Sequence, residues 1–168
     1  NVMLLGVSVL QVQKLPPLPD RPLVGPYHLN HAIPRYARLH RIAMNRDLAA
    51  PPPSPALPAR IFCLLKEQGP ALAAGYALDI LDRYWGGEDL YADRDRLLHR
   101  ARLAGGDGAA LERGLDDGRG AALLRQSVQS SLSRGVFGSP MFLIGGEPFH
   151  GVDSLPILEL WLEQERQA

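Results

Sequence analysis

The residues of this chain best suited to chemistry lie near its end: Ser139 followed by Pro140, then Val152 and Asp153 after Gly151. Ser139-Pro140 heads the apolar run Met141-Phe142-Leu143-Ile144. Proline cannot donate to a sheet ladder, so at a strand head it marks an edge or a tight turn. X-Pro is also the one bond where cis costs little, about 0.5–1 kcal/mol. A cis Ser139-Pro140 bond is expected. It would lift Ser139 out of the ladder and leave its N–H and C=O free to pair with a short extended ligand by strand addition. A helix opening near Asp153 would add unpaired N–H groups, and the Asp153 carboxylate could hold an ammonium. Glutathione offers both an extended peptide and an ammonium. The same residues also suit a plainer structure, with Ser139-Pro140 as a loop-to-strand junction and Asp153 as the N-cap of an amphipathic helix from Ser154 to Trp161.

Other chemistry-bearing residues give weaker patterns. His28 and His31 have helical i, i+3 spacing but no third ligand nearby in sequence, so polar surface is the simpler reading than metal binding. His40, His99 and His150 are isolated, although a hairpin would aim the neighbourhood of His150 at the proposed ligand. Tyr84 and Trp85 can either wall an aromatic pocket or pack in a core or subunit contact. Asp93-Asp95 and Asp116-Asp117 read as loop or first-turn acids and not as a spaced acid–base pair. Cys63, the one cysteine, excludes a C-x-x-C pair within this chain and sits among Ile61, Phe62, Leu64 and Leu65 as a buried thiol. No glycine-rich stretch has phosphate-loop spacing.

The elements that must position these residues follow from composition and period. Lys plus Arg and Asp plus Glu are 18 each in 168 residues, a balance that points away from nucleic acid and anionic membranes. Arg94, Arg96, Arg100 and Arg102 alternate with acids as a solvated helix face. No apolar run approaches the ~20 residues of a membrane span and no signal peptide opens the chain, so a soluble, cytoplasmic protein is expected. Residues 1–5 read as a short strand and 7–12 as a helical turn, and the prolines of 15–26 predict extended backbone. Tyr27 to Met44 has helical spacing, with Pro34 delaying the regular part to near residues 31–34. After the Pro51–Pro55 cluster, helices are predicted over 57–68, 71–85, 93–103, 108–115 and 120–134. Leu72, Tyr76, Ile80 and Tyr84 form one apolar stripe, and Gly135 the last helix's C′ residue. Met141–Ile144 and Pro148–His150 predict a hairpin turning at Gly145-Gly146. Leu155, Leu158 and Leu162, flanked by Ile157 and Trp161, form the buried side of the final helix.

This order resembles the family of 2-hydroxychromene-2-carboxylate isomerases and kappa-class glutathione transferases, in the DsbA-like branch of thioredoxin folds. The likeness is carried by Met3-Leu4-Leu5-Gly6 with the proline-rich segment to Tyr27, by the stretch from Ile80 to Leu90, and above all by Arg134 to Asp153, with its G-V-F-G-S-P, Gly-Gly hairpin and G-x-D. The resemblance implies an α/β, thioredoxin-like sheet, formed by residues 1–26 and 118–168, with an all-helical insertion at 27–117. It implies a homodimer with glutathione as cofactor, acting on a small aromatic or conjugated acid. By that match Ser139 and Pro140 pair with the cysteinyl part of glutathione, and Val152 and Asp153 hold its γ-glutamyl end. In such isomerases the glutathione thiolate adds to the unsaturated acid, a bond rotates and the thiolate is expelled.

Several positions depart from the family. A usual lysine aligns with Val24, an asparagine aligns near Lys14 or Leu15, an aspartate aligns with His31, and the arginine after G-x-D is replaced by Ser154. The family's first strand and helix, with an S-P-Y-like motif whose serine faces the glutathione sulfur, have no counterpart here, so no catalytic residue is assigned within this chain. That strand lies mid-sheet, and the gap would leave unsatisfied backbone groups costing on the order of 1–3 kcal/mol each. The natural protein is therefore expected to carry roughly 30 more N-terminal residues, the length of a strand and helix, or to borrow a strand. Two other functions stay open: a non-catalytic thioredoxin-like binding or dimerisation module, and a DsbA-like thiol–disulfide oxidoreductase with C-x-x-C in the missing segment.

Overall fold

The computed structural model describes residues 14, 16, 18–48, 50 and 53–166. The strand expected at residues 1–5, the turn at 7–12 and Leu15 lie outside the described residues. The chain divides into two compact units, one spanning Pro16–Ser127 and the other represented here by residues 128–166.

The first unit is helical. Leu18–Asp20 forms a 3-10 turn, and helical backbone then runs from Val24 to His40 as α1 (Val24–Tyr27), a wide π-turn (His28–Ala32) and α2 (Ile33–His40). The expectation of extended backbone over 15–26 is corrected here. The described part of 15–26 is not extended: proline's φ near −65° serves polyproline, 3-10 and first-turn helix alike, and Pro26 stands in the first turn of α1, where its missing N–H has no partner to lose. The regular α-helix does begin at Ile33, within the expected 31–34, although helical backbone precedes it as α1 and the π-turn. Ile33 donates its N–H to the His28 carbonyl five residues back, so the ladder has already widened before Pro34, which has no N–H to give and needs room behind its ring. The helix stops at Arg41, short of Met44. Arg41 takes a left-handed φ of 55°, and the Ile42 N–H closes the end on the Ala37 carbonyl at 2.9 Å.

Four further helices follow: α3 (Ala56–Gln68), α4 (Pro70–Trp85), α5 (Arg94–Leu103) and α6 (Gly108–Asp116). Helices α3 and α4 open at Pro55 and Gly69 with no side-chain cap, whereas the helices that follow start on acids. Asp93 accepts from the Arg96 N–H at 3.0 Å, Asp107 from Ala110 at 3.1 Å, and Asp117 from Arg119 at 2.8 Å at the head of α7 (Arg119–Ser133). Helix α3 packs against α4, α5 and α6. The core gathers Ile61, Leu64 and Leu65 of α3, Tyr76 and Ile80 of α4, and Leu97 and Leu111 of α5 and α6, while Leu72 and Tyr84 pack on it half-buried. The predicted α4 stripe thus faces the core. Close approach of α3 and α6 depends on Gly114, where a Cβ would stand 2.6 Å from Leu64 Cδ2.

Tyr76 is only 1% exposed, and its hydroxyl has no hydrogen-bond partner among the described residues. Burial, with the Tyr91 and Asp79 charges nearby, holds its pKa above the ordinary tyrosine range. An unpaired buried hydroxyl costs free energy that a phenyl ring does not. Tyr76→Phe is therefore expected to raise stability by about 1 kcal/mol in urea unfolding; a loss of similar size would show that water bonds the hydroxyl.

In residues 128–166, Gly135 ends α7 as its C′ residue, with the Val136 N–H on the Ser131 carbonyl at 3.0 Å. Strands β1 (Met141–Ile144) and β2 (Glu147–His150) pair antiparallel, Ile144 opposite Glu147 and Met141 opposite His150. Gly145 and Gly146 have φ of 58° and 95°, the two positive values that a tight hairpin turn demands. A 3-10 turn at Val152–Ser154 leads into α8 (Leu155–Glu165). Leu158 is buried, and Trp161 meets Phe149 edge-on at 5.9 Å. Ile157 and Trp161, expected beside the buried side, are instead 61% and 37% exposed and stand with Leu160 on a second apolar face of the helix.

Candidate functional site

The site is built on the open end of the hairpin. In a two-residue hairpin the residues flanking the turn exchange hydrogen bonds, and every second pair repeats the pattern. Ile144:Glu147, Phe142:Phe149 and Pro140:Gly151 are therefore the bonded pairs, and the Gly151 N–H does reach the Pro140 carbonyl at 2.9 Å. Leu143:Pro148 and Met141:His150 are the pairs whose backbone groups point outward. Pro148 thus loses no ladder bond. The outer edge of β1 presents the N–H and C=O of Met141 and Leu143, with no ladder partner among the described residues.

The Ser139-Pro140 bond is cis. Ser139 and Pro140 are both exposed, and the Ser139 N–H and C=O have no hydrogen-bond partner among the described residues. The Gly151–Pro140 bond brings the 151–153 turn to this same end of the hairpin. Val152 and Asp153 are exposed there, with the Asp153 carboxylate unpaired among the described residues. The N-cap position of α8 is held by Ser154, not Asp153, and the Ser154 hydroxyl donates to the Gly151 carbonyl at 2.7 Å. The structure therefore gathers Ser139, Pro140, Val152 and Asp153 at one place: a free peptide unit, the end of a strand edge and a free carboxylate.

His150 belongs to the same neighbourhood. Its ring lies against Phe137 at 4.9 Å and directly over Gly138, where a Cβ would come within 2.1 Å of Nε2. Only glycine leaves the ring where it is. This contact was not readable from spacing, since residues 138 and 150 meet only once the hairpin register is known.

The remaining candidates are placed elsewhere. Lys14 is exposed with a φ of 52°, Val24 is exposed in α1, and His31 is exposed in the π-turn. The rings of His28 and His31 both lean on Tyr27, at 5.3 and 6.3 Å. Cys63 is buried in α3, and that burial pushes its thiol above the ordinary range, which keeps it protonated and unreactive. Tyr84 stacks on Tyr91 at 4.6 Å and touches Trp85 edge-on, so this aromatic pair packs within its own unit. Burial and the neighbouring Tyr84 push Tyr91 up to about 12.

Residues 22–163 match the family described as DSBA-like thioredoxin domain. The chain belongs to that family. Among curated proteins no match is found. For a DSBA-like thioredoxin domain the architecture is coherent: a mostly helical chain, with the two-stranded hairpin and α8 as the sheet-bearing portion of the described residues. Among those residues no helix is long and apolar enough to cross a membrane.

Proposed function

We propose that this DSBA-like protein binds glutathione at the open end of the hairpin and acts as a glutathione-dependent isomerase, of the 2-hydroxychromene-2-carboxylate type, on a small aromatic or conjugated acid. The observation that carries this reading is the pairing, at one end of β1, of an exposed Ser139 peptide unit with an exposed Asp153 carboxylate, neither of which has a partner among the described residues. The two fit complementary parts of one ligand. The Ser139 N–H and C=O can bond an extended peptide as an added strand, and Asp153 can take an ammonium. Bound there, glutathione would supply a thiolate able to add reversibly to a conjugated double bond. The chain's own part is to hold the ligand's backbone in register and fix its charged end. Leu23, Tyr27, Leu39 and Ile42, large apolar side chains left exposed on and beside α1 and α2, support a homodimer in which a second copy covers them.

Calorimetric titration is expected to show saturable glutathione binding in the millimolar range or tighter. Asp153→Asn should weaken it about fivefold, the ~1 kcal/mol of an exposed charge pair. Turnover of a conjugated aromatic acid only when glutathione is present would support the isomerase assignment. Absence of binding at millimolar glutathione would end this reading, and the family membership would stand without it.

A further inference from the structure

Within the helical unit, the C-terminal part of α4, the turn after it and one face of α5 enclose a half-open cavity of about 160 Å³, lined by Arg83, Glu88, Leu90, Arg96, His99 and Arg100. Three guanidiniums meet here around two carboxylates. Arg100 grips Asp79 through Nε and Nη2, the Nε contact at 2.7 Å, and Arg83 reaches Asp79 at 3.1 Å and Glu88 at 2.7 Å. Arg96 holds the other Glu88 oxygen at 2.6 Å and the Asp89 carbonyl at 3.1 Å. The Arg100 hydrogen bond, seconded by Arg83, keeps the Asp79 carboxyl below its usual range, so Asp79 stays ionised at neutral pH.

Charge and hydrogen bonding then leave the same remainder. Three cations against Asp79 and Glu88 give a surplus of one positive charge. The bonds named occupy two of the five N–H groups on each guanidinium, so donors remain on all three. Arg96 is the freest, with half of its side chain exposed. A solvated helix face, which the alternating charges of 94–102 predict, would scatter its arginines. Here Arg96 and Arg100, one turn apart on α5, converge with Arg83 of α4 on one hollow, and Leu90 supplies an apolar wall.

We propose that this cavity is a binding site for the carboxylate of a small monoanionic organic acid. A single carboxylate closes the charge balance, whereas a phosphoryl dianion would overshoot it. Its planar pair of oxygens matches the guanidinium fork. The volume lies below the roughly 300–1,000 Å³ of pockets that enclose a drug-sized molecule, so the site takes a carboxylate with a short apolar tail against Leu90. It lies within the helical unit and does not depend on glutathione binding.

The test is an NMR titration of the protein with acetate and propionate at constant ionic strength, with chloride as the matched control and phosphate as a second arm. Expected are saturable shifts confined to residues 83, 88–90 and 96–100, tighter for propionate than for acetate. Arg96→Gln, which leaves both Asp79 contacts in place, should weaken binding about tenfold. Arg94→Gln, at a side chain whose ion pair is with exposed Asp116, should leave it unchanged. If Arg96→Gln fails to fold, Arg96→Lys, which keeps the charge and loses the fork, should still weaken carboxylate binding several-fold. Shifts that match the chloride control, or a response indifferent to Arg96, overturn the site. Tighter binding of phosphate than of propionate overturns the carboxylate assignment.

Discussion

Leu65→Ala is expected to lower stability by about 2–5 kcal/mol, the range for emptying a fully buried leucine position. That is a large part of the 5–15 kcal/mol typical of a whole domain. Leu65 has no exposed surface and stands in the C-terminal part of α3, the helix that touches three others. It also fills the space above the α5–α6 turn: a Cβ on Gly106 would lie 2.5 Å from Leu65 Cδ2, 3.0 Å from the Ala101 carbonyl oxygen and 3.2 Å from Leu111 Cδ1. Gly106→Ala alone should therefore cost about 1–3 kcal/mol through overpacking. In the Leu65→Ala background the new methyl enters vacated space, so the double substitution should cost less than the sum by at least ~0.5 kcal/mol. Urea unfolding of the four proteins measures this. Strict additivity would show that the backbone oxygen of Ala101, and not Leu65, forbids a side chain at 106.

The helical unit was legible wherever periodicity and punctuation agree. Leu72, Tyr76, Ile80 and Tyr84 recur every four residues, and Asp93 and Asp117 are loop or first-turn acids beside predicted helix starts, so the bounds of α3 to α7 fall within about two residues of expectation. Gly145-Gly146 specified the hairpin turn, because few other pairs accept two positive φ values. The described part of 15–26 forms helical turns where extended backbone is expected, because proline sets φ but leaves ψ to its surroundings. Ser139, Pro140, Val152 and Asp153 could be nominated together because their motif is nearly contiguous. The arginine-lined cavity could not, since Arg100 and Asp79 are 21 residues apart and no local pattern announces their meeting.

Arg46 is the most consequential of these unannounced residues, and Arg46→Ala is expected to cost about 2–4 kcal/mol. Its guanidinium donates from Nε to the Tyr84 carbonyl at 2.8 Å, and from Nη2 to the Glu88 carbonyl at 2.8 Å and the Asp89 carboxylate at 2.9 Å. It also lies 4.0 Å over the Tyr84 ring. With the Asn45 N–H on the Trp85 carbonyl at 2.9 Å, it adds to the Gly86, Gly87 and Glu88 N–H groups that close the carbonyl end of α4, where the helix dipole favours a cation. The side chain is only 15% exposed, so water would replace these bonds poorly. The Asp89 partner is 91% exposed, and Asp89→Ala should cost no more than about 0.5 kcal/mol. That contrast separates the backbone bonds from the ion pair. Arg46→Lys keeps the charge near the helix end but cannot bridge two carbonyls at once, so it should recover less than half of the loss. Urea unfolding gives the energies, and hydrogen exchange should localise the damage to the amides of residues 45 and 86–88. Equal stability of the Lys and Arg proteins would show that charge at the end of α4, and not the two-pronged hold on its carbonyls, is what Arg46 provides.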